Sequence, residues 1–174
     1  MSGMPGQRAT RVLMEWTLLL TGIAGAILMR VYVVLPAYVP SKSMEPTLRV
    51  GDHVFINRFA FRRRLPSPGE VVALNTLDRQ EVWVKRVVAG PGDRVGLRRG
   101  VLYRNGQPVK ETYVLQRMGV NARTVTVPAN HVFVLGDNRD NSDDSRDWGP
   151  LRRDFLVGKV VFIYWPPGRM GWVR

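Results

Sequence analysis

The sequence predicts a mainly β domain, a sandwich or barrel, carried behind one N-terminal transmembrane helix. Three observations predict it: an apolar run of helix length near the start, short β-branched and aromatic runs over the rest, and no sustained 3.6-residue periodicity beyond Pro40. With 174 residues there is room for one domain plus an anchor, and enough chain to bury a core.

The first element is VLMEWTLLLTGIAGAILM over 12–29, interrupted only by Glu15 and continued after Arg30 by VYVVLPAYV. Trp16 to Leu35 makes 20 residues with one interior charge, Arg30, which can snorkel to the interface of a bilayer core about 30 Å thick. Ala24-Gly25-Ala26 has the spacing of a leader cleavage site, but it lies inside the apolar run with no polar stretch before it. A buried core helix would show a polar face, and this run shows almost none. The expected organisation is an N-terminal tail over 1–11, an anchor over 12–35 and an all-β domain over 36–174, the tail being cytoplasmic only by the resemblance given below. Arg8 and Arg11 on one flank against Arg30, Lys42 and Arg49 on the other leave orientation undecided by charge.

The following elements read as strands: 53–61, 70–75, 81–89, 94–98, 101–105, 124–128, 131–136 and 159–165, cut by Gly, Pro, Asn and Asp. Asn105-Gly106 marks a tight hairpin. Many closely spaced strands with turn signals fit a barrel or sandwich.

Composition narrows the chemistry. The absence of cysteine excludes a disulfide scaffold, cysteine zinc sites and Cys–His catalysis. Net charge is +12, yet only four of the 26 basic residues are lysines (Lys42, Lys85, Lys110, Lys159). Arginine stays protonated and cannot act as a base; with two histidines, His53 and His131, few acid–base candidates remain. The excess of arginine reads as a solvated surface or a seat on anionic lipid, and no zinc-finger, RNA-binding or basic-zipper pattern points to nucleic acid.

Three segments place polar residues in unusual settings. In Pro40-Ser41-Lys42-Ser43-Met44-Glu45-Pro46, an extended backbone puts Ser41 and Ser43 on one face and Lys42 on the other; a polar loop leaving the membrane has the same composition. In 81–88 a strand puts Trp83, Lys85 and Val87 on one face. Lys85 there is either a desolvated general base or an edge lysine facing water, two readings that stand level. The run Gly136-Asp137-Asn138-Arg139-Asp140-Asn141-Ser142-Asp143-Asp144-Ser145-Arg146 reads three ways: a calcium loop spoiled by Arg139, an Asx-rich turn, or a carboxylate–arginine network presenting Ser142.

In this order the anchor, SKSMEPTL, GDHVFINRF, KRVVAGPGDRV and GDNRDNSDDSR closely resemble bacterial type I signal peptidases over roughly residues 12–165. The resemblance implies a signal-peptidase-like β domain in which Ser43 is the nucleophile and Lys85 the neutral general base, with no cofactor and no metal. It implies an oxyanion hole from the Ser43 N–H and the Ser41 hydroxyl, Ser142 orienting Lys85, and Asp144, Arg146 and Asp137 supporting the loop, with Arg86 structural. Val39, Pro40, Met44, Leu48 and Trp83 would line the pocket next to the cut. The implied partners are signal peptides of exported preproteins, cut after Ala-x-Ala, and the lipid membrane; no nucleic acid is expected. The implied location is the cell membrane, single-pass, N-terminus inside and the catalytic domain on the outer face.

Lys42 stands where such proteins often carry a small residue, and the stretch 96–130 leaves room only for a small insertion. A Ser-His-Asp reading fails for want of a G-x-S-x-G elbow. A repressor-type self-cleaving protease would need a DNA-binding helix pair where the apolar run lies. A membrane-anchored basic β-domain binding lipid or nucleic acid would tolerate loss of Ser43 and Lys85.

Overall fold

The computed structural model describes residues 5–28, 34–76, 81–114, 119 and 121–174, with the side chains of 10–26 in the first of these stretches. The chain divides into two units, Met1–Leu35 and Pro36–Arg174.

In the first unit α1 spans Pro5–Leu28. Proline is suited to the first helical turn, where its missing N–H is not needed. Every described side chain from 10 to 26 is exposed, among them Leu13, Met14, Trp16, Leu18 and Leu20. The Thr17 and Thr21 hydroxyls donate to the carbonyls of Leu13 and Thr17 at 2.8 and 2.6 Å, so these two hydroxyls are satisfied within the helix. Among the described residues no helix is long and apolar enough to cross a membrane. The helix also starts inside the expected tail and stops short of Leu35; Val34–Tyr38 is a strand, β1. Pro36 fits the strand, because it cannot continue a helix and pushes Leu35 to extended geometry.

The second unit continues with β2 (His53–Asn57), β3 (Val71–Asn75), β4 (Val82–Ala89), β5 (Arg94–Arg98), β6 (Val101–Arg104), β7 (Gln107–Pro108), β8 (Ala122–Thr126) and β9 (His131–Leu135). A four-residue helix, α2 (Ser145–Trp148), precedes β10 (Leu151–Arg152), β11 (Leu156–Trp165) and β12 (Gly171–Trp172). The larger sheet runs β1-β2-β11-β3-β4-β9-β10, with β12 against β11; the smaller runs β7-β6-β5-β8. Thus the stretch expected to be a small insertion is a four-stranded sheet. Asn105 and Gly106 both take positive φ (54° and 82°) and close the β6–β7 hairpin, as their sequence predicts.

β4 from Lys85 onward and β9 from Val132 onward are buried on both faces. Val88, Ala89, Phe133 and Leu135 join Val95, Leu97 and Leu102 of the smaller sheet in one apolar cluster. Val87, Val132 and Val134 join Val72, Leu74, Phe61 and Leu151 in another, with Trp83 packed against it. Fully burying each such side chain contributes about 1.5–3 kcal/mol. Lys85 shares the parity of Trp83 and Val87, so its aliphatic stem follows the second cluster.

Candidate active site

The segment after β1 turns where full extension is expected. The Glu45 N–H donates to the Lys42 carbonyl at 3.1 Å and the Leu48 N–H to the Met44 carbonyl at 2.9 Å. The turn still keeps the two serines on one side, with Ser41 Oγ and Ser43 Oγ 3.2 Å apart. It carries Leu48 into the core, where it is fully buried and is not among the residues that line the groove described below. Lys42 stays exposed, and the backbone rather than its side chain is used: its carbonyl accepts from Asn138 Nδ2 at 3.2 Å, while the Ser43 carbonyl accepts from the Asn138 N–H at 3.0 Å.

Lys85 pairs with Val72 across β3–β4 and is 3% exposed. Its Nζ lies 5.4 Å from the centre of the Trp83 ring, and among the described residues it forms no salt bridge. Burial lowers its pKa, with Arg146 acting in the same direction, against a smaller upward pull from Asp144 and Asp143. A lysine held this way loses its proton more readily than one in water.

The loop 136–146 is organised by ion pairs. Asp144 is completely buried and accepts from Arg146 Nε at 2.8 Å, from Arg146 Nη2 at 2.9 Å and from the Gly136 N–H at 3.0 Å, and it caps α2. Arg146 in turn donates to the carbonyls of Ser142 and Arg139, at 3.0 and 2.7 Å. Ser142 Oγ is buried and has no hydrogen-bond partner among the described residues. Gly136 lies so close that a Cβ there would collide with the Ser142 side chain and stand 2.6 Å from the Ser43 carbonyl oxygen.

Asp137 receives both Nε and Nη2 of Arg86, at 2.8 and 2.7 Å, and the Thr47 hydroxyl at 2.5 Å. Arg86 also donates to the carbonyls of Gly69 and Arg174, so it is a fully bonded tie between four segments. The carboxylates of this loop thus hold arginines. Sequence reasoning missed Thr47 and Asn138, which lie inside the quoted motifs, and it missed Glu111, which carries no local signal.

A groove of about 530 Å³ brings these pieces together. Val39, Pro40, Ser41, Ser43 and Met44 form one wall; Val82, Trp83, Val84 and Lys85 form the other, with Ser142 and Asp143 alongside. The β4–β9 ladder begins at Arg86↔Leu135, so residues 82–84 are paired with β3 alone and leave one strand edge open on the other side. The other candidate bases are elsewhere. Lys159 pairs with Glu70 at 2.8 Å, Lys110 is exposed, His53 packs between Tyr38 and Tyr164, and His131 Nδ1 is bonded to the Ala129 carbonyl.

The comparisons agree on a family. A family model described as signal peptidase, peptidase S26, matches residues 12–165. The chain is 36% identical over 162 residues to probable signal peptidase I-1 of Synechocystis sp., covering 88% of this chain and 83% of that protein. Against signal peptidase IB of Staphylococcus aureus the identity is 32% over 174 residues, covering 88% and 90%. Against thylakoidal processing peptidase 1 of Arabidopsis thaliana chloroplasts it is 37% over 161 residues, covering 86% of this chain and 47% of the plant protein. The chain belongs to the S26 family of signal peptidases, which are serine endopeptidases.

Proposed function

We propose that this chain is a membrane-bound endopeptidase that removes N-terminal signal peptides from exported preproteins by cutting after Ala-x-Ala, with Ser43 as nucleophile and Lys85 as general base. The observation that carries this reading is the groove itself, which joins a serine hydroxyl, a buried lysine outside any salt bridge and an open strand edge.

The substrate adds to the edge at 82–84 as an extended strand, and its backbone hydrogen bonds there supply affinity independent of sequence. Selection of small side chains is assigned to the part of the groove walled by Val39, Pro40, Met44 and the bulky Trp83. Neutral Lys85 takes the Ser43 proton as Oγ attacks the scissile carbonyl, and the ammonium then protonates the leaving nitrogen. The Ser43 N–H and the Ser41 hydroxyl receive the oxyanion, each such donor being worth about 3 kcal/mol. Ser142 Oγ spends its unused hydrogen-bonding capacity on the lysine amine and sets its direction. Asp144 with Arg146 fixes the Ser142 carbonyl, while Asp137 with Arg86 fixes the turn that carries Ser43.

The anchor is the apolar run from Val12 that α1 carries, ahead of β1, with the N-terminus inside and the catalytic domain on the outer face. Support comes from the large apolar side chains that α1 leaves exposed, Leu13, Trp16, Leu18, Leu19 and Leu20 among them, and from Thr17 and Thr21, whose hydroxyls bond within the helix as lipid requires of polar groups. The partners are then signal peptides and the bilayer, and no metal or cofactor enters the steps above. The test is cleavage of a preprotein carrying an Ala-x-Ala site by detergent-solubilised wild type and Ser43→Ala. Wild type cuts and Ser43→Ala loses at least about a thousandfold in kcat; equal cleavage by both overturns the reading.

A further inference from the structure

Glu111 stands outside every motif that gives the chain its family resemblance, yet it is 4% exposed, and a carboxylate is almost never buried so deeply without a partner. It lies past β7, in the segment that leaves the smaller sheet. Its two oxygens receive Arg139 Nη1 at 3.0 Å and Nη2 at 2.5 Å, and Oε1 also receives the Tyr113 hydroxyl at 2.9 Å. Arg139 is equally buried and belongs to the loop 136–146.

From Arg139 the contacts run directly to the groove. Its Nε donates to the Gly136 carbonyl at 3.0 Å, and its own carbonyl accepts from Arg146 Nη1 at 2.7 Å. Gly136 is packed against the Ser142 side chain and the Ser43 carbonyl, and Arg146 holds the Ser142 carbonyl. A second contact runs in parallel: the Tyr113 ring lies 4.0 Å from the Arg86 guanidinium, which holds Asp137. Of the three arginines that brace the loop, Arg139 therefore rests on Glu111 and Arg86 on the Tyr113 ring, while Arg146 is held to the Arg139 carbonyl. A buried ion pair adds little net stability compared with an apolar pair of the same volume. What it supplies is direction, because a forked guanidinium on a carboxylate admits one geometry.

We propose that Glu111 is a positioning residue for catalysis: the smaller sheet, through Glu111 and Arg139, sets where Ser142 stands relative to Lys85. This rests on the reading of Ser43, Lys85 and Ser142 given above. The clamp acts on turnover and leaves the strand edge at 82–84 untouched, so it moves kcat and not KM.

The test uses the detergent-solubilised full chain and the Ala-x-Ala preprotein, with thermal unfolding measured alongside. Two variants avoid leaving a lone buried charge: Glu111→Asp, which keeps the charge and shortens the reach, and Glu111→Gln combined with Arg139→Gln, which removes both charges. The expected result for each is a kcat at least tenfold below wild type per folded enzyme, KM within about twofold, and unfolding close to wild type. In a Ser142→Ala background Glu111→Asp adds less than about twofold, because the two act through one contact. A folded variant with wild-type kcat, an undiminished Glu111→Asp effect in the Ser142→Ala background, or failure of both variants to fold overturns the clamp. Ser43→Ala in the same assay separates the two readings. If it is inactive while the clamp variants turn over normally, only the clamp fails; if it cuts like wild type, the catalytic assignment beneath it fails first.

Discussion

In the proposed reaction Lys85 is the residue on which the chemistry turns, and its burial has a cost that can be measured. With its pKa lowered by burial, the folded chain binds fewer protons than the unfolded chain between the folded value and the ordinary lysine value. Stability attributable to this group therefore rises with pH across that window and is poorest below it. Replacing Lys85 with Met removes the penalty while keeping the volume. The expected outcome is no detectable cleavage and a Tm about 2–6 °C higher near neutral pH, the gain shrinking as pH rises toward the ordinary lysine value; calorimetry across pH checks it. Wild-type activity rises with pH over the same range, and a rate unchanged down to acid pH would count against Lys85 as the base. Trp83 gives a second prediction. It lines both the groove and a neighbouring cavity of about 370 Å³ bounded by Leu74, Trp148 and Leu151. Trp83→Ala joins the two, so cleavage after leucine or phenylalanine should rise at least tenfold relative to cleavage after alanine, read by mass spectrometry of the released peptides. The burial of Lys85 was half legible in sequence, because strand parity set it beside Trp83 and Val87 but could not say which face was covered. Glu111 was not legible at all: Lys110-Glu111-Thr112 reads as surface, and its partner lies 28 residues away.

Among the elements, the loop 136–146 shows how tightly the site is packed. Gly136→Ala would press a methyl group against Ser142 and the Ser43 carbonyl, moving the two residues whose relative placement matters most. The expected effect is a kcat reduction of about a hundredfold or more with a Tm loss of several degrees, measured on purified protein. The main strands were legible because β-branched runs and turn residues alternate cleanly along the chain. β1 was not, since VYVVLPAYV continues an apolar run and only Pro36 hints that the helix has ended. The turn at 42–48 was missed for a related reason. Alternation was assumed where backbone bonds to Lys42 and Met44 close the chain, and this sends Leu48 inward.

At the level of the whole molecule, the arginine excess divides into two populations. Arg86 and Arg139 are buried, and Arg146 and Arg169 are committed to Asp144 and Asp52, so these are internal ties. Arg62 and Arg63 are exposed, and with the apolar surface of α1 they favour an anionic bilayer. The full chain should therefore float with anionic vesicles, and the fragment 36–174 should lose most of that binding while still cutting a soluble Ala-x-Ala peptide. Recovery of the full chain in the soluble fraction would refute the anchor.

The helicity of α1 also bears on how the enzyme survives its own specificity. Ala24-Gly25-Ala26 spells small-x-small within this very chain, and all three residues lie inside Pro5–Leu28. The open edge of β4 takes extended backbone, whereas Ala24, Gly25 and Ala26 lie well inside α1 and already spend their amides on the turn before them. On the proposed specificity, the same tripeptide would be a substrate as a strand and inert as a helix, so protection from self-digestion would be conformational.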